Sequence, residues 1–223
     1  MRILTILVVL TGITCCDTVA QPLVFSTQTD EPDTAGTKFL HSWGLDFLIS
    51  TGGFGLGGFY RQQFSKDVSG SATISISESK DDREVEYYAY NPYSNSYTSY
   101  SPGKVNRFLV IPLMVGVEHR LFSNQILDNF RPYVNAAVGP TLIYATPYSE
   151  EFFNALGKGH PYYTVGGYVG LGSFFGSDRS TLFGINVRYY FVPFAGGIES
   201  LDQGPPKKDF GGFFITLNVG SSW

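Results

Sequence analysis

Cysteine is nearly missing from this chain: its 223 residues include two, Cys15 and Cys16, side by side. Adjacent cysteines this near the N-terminus build no disulfide framework, so the rest of the chain must be held by packing and hydrogen bonds. Charge is sparse as well. Charged residues make up 15% of the sequence, against roughly 25% in an average soluble domain, which excludes a long disordered chain. Fifteen Lys and Arg face nineteen Asp and Glu, a net charge of −4. The basic excess that nucleic-acid phosphates demand is therefore lacking, and no nucleic-acid partner is expected. No apolar run approaches the roughly 20 residues of a membrane-spanning helix. In place of these features stand 26 Gly, 19 Phe and 15 Tyr, a mixture suited to short strands with tight packing and aromatic borders rather than to helices.

The first residues read as an export signal. Arg2 precedes the apolar run Ile3 to Leu10, and the small-residue site Thr18-Val19-Ala20 follows, so residues 1–20 are expected to be removed between Ala20 and Gln21. Lipid attachment at Cys16 is the competing reading, but Ile13-Thr14-Cys15 is unlike the Leu-Ala-Gly context of a lipobox. Residues 21–37 are polar, with Pro22 and Pro32, and read as a flexible periplasmic leader.

From Lys38 the texture becomes period two, the signature of strands. Trp43, Leu45, Phe47 and Ile49 alternate with Gly44, Asp46, Leu48 and Ser50. The same alternation recurs over Phe54–Arg61, Leu109–Glu118, Tyr133–Tyr144, Tyr163–Gly172, Phe183–Phe191 and Phe213–Gly220, and weakly over Ala72–Ser77. Eight strands result, and the expected fold is all-β, an eight-stranded antiparallel up-and-down barrel over residues 38–223.

Two kinds of barrel carry one apolar face per strand, and they differ in which face is inside. The lysines discriminate. All seven, at 38, 66, 80, 104, 158, 207 and 208, fall at strand starts or in connections, while the non-apolar faces carry Gly, Ala, Asn, Thr and Ser. Water-facing strands rarely lack lysine in this way, so the apolar face is expected to point outward to lipid. Trp43, Tyr60, Tyr144, Tyr163 and Tyr189, near the ends of the apolar stripes, suit the interfacial girdles of a transmembrane barrel. Connection lengths agree: near 65–69, 122–130 and 176–180 they are short, and near 79–105, 145–160 and 194–208 long, with Thr51-Gly52-Gly53 as a short exception. Short turns face the periplasm and long loops the outside in bacterial barrels, which places both termini in the periplasm.

Arg107 to Leu121, followed by Arg131-Pro-Tyr-Val-Asn-Ala-Ala-Val-Gly-Pro140, resembles the middle hairpin of the outer membrane protein β-barrel domain families of Gram-negative bacteria, which include OmpA- and OmpX-like barrels. The end resembles their assembly signal, with terminal Trp223 preceded by Val219, Leu217 and Ile215 at alternate positions; Ser221 departs from the pattern. The resemblance covers nearly all of residues 38–223. It implies an outer-membrane location, outer-membrane lipid and lipopolysaccharide as surroundings, recognition of the C-terminus by the barrel assembly machinery, and a monomer. On activity it is nearly silent, since such families hold structural proteins, small channels and a few enzymes.

Five charged residues fall on interior faces: Asp46, Arg61, Glu118, Arg120 and Arg188. In an interior just wide enough for side chains they are expected to pair, Arg188 and Arg120 neutralising Asp46 and Glu118. A structural plug network is the reading weighed above a gated pore or a paired-carboxylate site. The histidines form no three-His metal set on this topology, since His41 and His119 belong to one rim and His160 to the other. A lipid A deacylase resembles such a barrel but uses a His-x-Ser pair, and here Arg120 and Leu121 follow His119. Gly166-Gly167 and Gly170-x-Gly172 lie within a strand and precede no helix, so they are read as space-making interior glycines rather than as a nucleotide loop, and no cofactor is expected. The external segment 87–100 concentrates Tyr87, Tyr88, Tyr90, Tyr93, Tyr97 and Tyr100 among Ser and Asn. That composition suits recognition of an extracellular ligand or glycan; strand extensions whose aromatics pack on each other are the other reading. A structural or surface-interacting barrel is thus the first expectation, a small-solute channel the second and a lipid-modifying enzyme the third.

Overall fold

The computed structural model describes residues 41–223 except 94, 124, 127, 128 and 176–180. The export signal with its Ala20–Gln21 junction, the leader and the expected turn at 176–180 lie outside the described residues. In chain order the elements are β1 (His41–Ser50), β2 (Gly53–Gln63), β3 (Val68–Ser79), β4 (Tyr87–Asn91), β5 (Ser96–Tyr100), β6 (Asn106–Arg120), β7 (Phe130–Pro147), α1 (Phe152–Leu156), β8 (His160–Phe175), β9 (Thr181–Phe191), β10 (Pro193–Ile198), β11 (Lys207–Asp209) and β12 (Gly212–Ser222).

Strands β1, β2, β3, β6, β7, β8, β9 and β12 form a closed antiparallel barrel. Closure pairs β1 with β12, in register from Ser42 opposite Ser222 to Ser50 opposite Phe214. Two backbone bonds lock the seam at its end, from His41 N to Trp223 O (3.0 Å) and from Trp223 N to His41 O (2.9 Å). A closed wall leaves no sheet edge in the hydrocarbon, where an unpaired peptide group costs several kcal/mol.

Alternation sets the dressing of the wall. Along β1, Trp43, Leu45, Phe47 and Ile49 are exposed while Ser42, Gly44, Asp46 and Leu48 are buried. The six described lysines lie outside all eight barrel strands. The weakly patterned segment proves to be a full strand: β3 runs twelve residues, turning Ile74 and Ile76 outward and Thr73, Ser75 and Ser77 inward. Its Ser, Gly and Ala carry too little hydrophobic contrast to announce the ends. Trp43, Tyr60 and Trp223 gather at the end that holds the chain's C-terminus, and Tyr144, Tyr163 and Tyr189 at the other, bracketing the apolar belt. A closed eight-stranded barrel with a lipid-facing belt and aromatic girdles is a transmembrane barrel of the outer-membrane type.

The two ends differ. At the turn end β2 and β3 are joined by residues 64–67; at the loop end residues 80–105, 148–159 and 192–211 connect the strands. The exception there is the two-residue turn Thr51-Gly52, which Gly53 permits by adopting φ +137°. The loop segments are structured: β4 and β5 form a separate two-stranded sheet, β10 and β11 another.

Candidate functional site

The barrel interior comes first, because it decides whether the lumen can conduct. Halfway along it, Arg188 of β9 donates from Nη1 to Asp46 Oδ2 of β1 (2.9 Å), across the intervening β12. Asn218 of β12 donates to the other carboxylate oxygen (2.5 Å). The guanidinium lies over the ring of Tyr168, 5.0 Å from its centroid, and its Nη1 reaches the Tyr190 hydroxyl at 3.5 Å. Arg188 and Asp46 are 5% and 2% exposed, so their charges face each other in a dry layer rather than water.

Toward the turn end, Arg61 of β2 donates to Glu118 of β6 at 2.7 Å. This corrects the expected partnership of Glu118 with Arg120. Arg61 reaches Glu118 over β3, whose inward Ser69 and Ser71 leave the space. The Arg61 guanidinium also lies 4.1 Å over the Phe174 ring, which stacks on Tyr133 at 4.6 Å; the Tyr133 hydroxyl accepts from Asn186 at 3.0 Å. Glycines make room for these large groups. A Cβ at Gly172 would stand 2.9 Å from the Tyr133 ring, and one at Gly170 would stand 3.0 Å from Arg188 Cγ. At this end a polar cavity of about 80 Å³ remains, lined by Ser42, Arg61, Asp67, Glu118 and Tyr133, large enough for a few waters.

Toward the loop end the lumen turns apolar. Leu48, Phe108, Val110, Met114, Ile143 and Tyr190 pack with Val192, Ile198 and Phe210, which the β9–β12 connection carries over the mouth. Phe108 of β6 meets Phe210 edge-on at 5.0 Å, so aromatic rings bridge the opening from opposite sides. The void left in this layer is about 10 Å³, at the lower limit for one water.

Above this lid the loops are tied together. A bridge pairs Lys104 with Leu201, and Lys104 Nζ donates to Glu84 Oε2 at 2.6 Å with both side chains buried. Lys207 Nζ donates to the Lys80 carbonyl (2.9 Å), and Arg83 Nη2 to the Pro205 carbonyl (2.8 Å). Arg83 also forks onto Asp81 through Nε and Nη2, and these hydrogen bonds hold the Asp81 carboxyl down at about 2. Lys80 donates to Glu86, which lowers that carboxyl and raises the Lys80 ammonium.

The tyrosine segment stands apart from this cap. Strands β4 and β5 pair only with each other, Tyr87 opposite Tyr100 and Tyr90 opposite Tyr97. Alternation splits the side chains between two faces. One has Tyr87 stacked on Tyr100 at 5.9 Å, and the other Tyr90 tilted on Tyr97 at 5.4 Å beside Tyr88. All are exposed, Tyr93 at the tip 98% so. The two readings of this segment meet here: its aromatics do pack on each other, but in a separate hairpin rather than on extended barrel strands, and both faces remain open.

The remaining sequence candidates are scattered. His41 binds the Tyr60 hydroxyl (2.8 Å) and stacks on Trp223, at the rim opposite the loop-end His160. Among the described residues no three His, Cys, Asp or Glu side chains gather as metal ligands. Ile215, Val219 and Trp223 point outward and are exposed. Sequence reasoning missed the buried Glu84–Lys104 pair and the lid residues Val192, Ile198 and Phe210, because loops show no period from which burial can be read.

No family model and no curated protein matches this chain. Among solved structures it is similar to the N-terminal β-barrel domain of Pseudomonas aeruginosa OprF, at 11% identity over 82% of this chain and 97% of that one, with a TM-score of 0.46. Neisserial surface protein A matches at 8% identity over 82% and 93%, with a TM-score of 0.44. Ail, the attachment invasion locus protein of Yersinia pestis, matches at 12% identity over 83% and 96%, with a TM-score of 0.40. At these identities the likeness is one of fold alone.

Proposed function

We propose that this protein is an integral outer-membrane barrel whose lumen is a structural core and whose activity is surface recognition, carried by the loop end and above all by the β4–β5 hairpin. The observation that carries the reading is a contrast in exposure. In the lumen Arg61 pairs with Glu118 and Arg188 with Asp46, and the mouth is bridged by Phe108 and Phe210, while the hairpin presents its aromatics on both faces. Tyrosine supplies large contact area at low entropic cost, and Ser and Asn beside it supply adaptable hydrogen bonds. Outer-membrane lipid and lipopolysaccharide surround the belt, and the assembly machinery is the partner of the Ile215, Leu217, Val219 and Trp223 terminus.

Planar-bilayer recording of the purified full chain tests the reading against a small-solute channel. No unitary conductance is expected. Regular conductance steps that vanish when Met114 is changed to Trp would place the activity in the lumen and overturn it.

A further inference from the structure

The hairpin has an unusual edge. Two-stranded sheets are marginal in water and gain stability from a third strand, and natural proteins protect such edges with Lys, Pro or charge. Residues 87–100 contain no Lys, Arg, Asp, Glu or His, and the one proline, Pro92, lies at the tip outside both strands. Strand β4 reads Tyr87-Tyr88-Ala89-Tyr90-Asn91, with the small residue in the centre and a tyrosine on each side of it.

That order is self-complementary. Laid antiparallel against another β4 with a two-fold axis at Ala89, it sets Ala89 opposite Ala89, Tyr88 opposite Tyr90 and Tyr87 opposite Asn91. Residues opposite each other share a face, so Tyr88, Tyr90 and Tyr97 of both copies come to lie on one side of a four-stranded sheet. The cross-strand Tyr–Tyr contact already formed by Tyr90 and Tyr97 would be repeated twice at the new seam, and aromatic cross-strand pairs are among the favourable ones. The flanking Glu86 would fall opposite Pro92, away from any like charge.

We infer that the β4 edge pairs antiparallel with the β4 edge of a second copy of this chain. This rests on the hairpin being the recognition surface and names its partner. The geometry carries a further consequence. Each hairpin is joined to its barrel at the Tyr87–Tyr100 end, and antiparallel pairing points the two tips in opposite directions. The two barrels then lie at opposite ends of the shared sheet, an arrangement that two facing membranes can supply, while each closed wall remains monomeric.

The test uses the full chain with Cys15 and Cys16 changed to serine, in phosphatidylcholine vesicles. In that background Ala89→Cys is expected to form a disulfide-linked dimer on mild oxidation, because cysteines opposite each other at the axis lie within bridging distance. Ser99→Cys, about three strand spacings or roughly 14 Å from its mate, is expected to stay monomeric. Vesicles carrying the native hairpin should cluster, and Ala89→Lys, which sets like charges face to face, should abolish the clustering. Equal cross-linking of both cysteine variants would mean unspecific aggregation and overturn the pairing, as would an unlinked Ala89→Cys. Capture of protein-free vesicles bearing a neutral glycolipid, with no self-clustering, would make the hairpin a glycan surface and overturn the pairing alone. A hairpin closed to a labelling reagent on intact vesicles would overturn the recognition reading as well.

Discussion

The lumen and the tyrosine hairpin use the same residue types to opposite ends. Inside the barrel, Tyr168 and Tyr190 flank the Arg188–Asp46 pair and Tyr133 takes a hydrogen bond from Asn186, and all three aromatic bodies are buried. In the hairpin Tyr87 stacks on Tyr100 and Tyr90 tilts on Tyr97, and the Tyr88 and Tyr90 hydroxyls donate only to their near neighbours Glu86 and Asn95, leaving ring faces to the solvent. Tyrosine as such does not mark a binding surface. What marks one is tyrosine whose ring faces the fold has left uncovered.

The comparison breaks most sharply at the interior pair. Arg188→Met would strand the buried Asp46 carboxylate and is expected to cost about 3–5 kcal/mol, while replacing both partners with apolar residues should cost much less. Urea unfolding from lipid vesicles in a double-mutant cycle measures the coupling; purely additive effects would show that the two charges do not depend on each other. Next in size is the lid. Phe108→Ala should cost about 3 kcal/mol through the cavity it leaves, and it should turn a silent barrel into one with detectable small-ion leak in planar bilayers.

Smaller again is the effect of acid on the cap. The Asp81 carboxyl sits at about 2 in the folded protein, below its unfolded value of roughly 3.9. Its bond to Arg83 therefore contributes in full above about pH 4 and is lost as the pH falls through about 2. Pepsin cleavage within residues 80–86 should rise over that window, and Asp81→Asn should show the raised cleavage at every pH. Smallest is the hairpin itself: changing Tyr88, Tyr90 and Tyr97 together to serine should move barrel stability by less than about 0.5 kcal/mol per site. A larger loss in the same urea titration would make these tyrosines part of the core.

The barrel was legible in the sequence because lipid enforces alternation strictly, and one residue of slippage would expose every inward group. Both Asp46 and Arg188 could be placed on the inner face, and their meeting followed from there being few other charges to satisfy them. Glu118 shows where that reasoning stops. Its partner was assigned along its own strand, but contact inside a barrel is decided by stagger between strands, which carried Arg61 over the small Ser69 and Ser71. Loop geometry was less legible still. Nothing in residues 192–211 marks Phe210 as the residue that closes the mouth; its burial is set by the path of the backbone between β11 and β12.

The contrast between a lumen that holds the fold and a hairpin that does not is tested most directly by replacing residues 87–100 with a short Gly-Ser turn and repeating the urea titration from lipid vesicles. Insertion into the bilayer and an unfolding free energy within about 1 kcal/mol of the native chain are the results expected for a segment that packs on nothing essential. A loss of several kcal/mol, or failure to insert, would mean that the tyrosines are structural and would contradict the account at its centre.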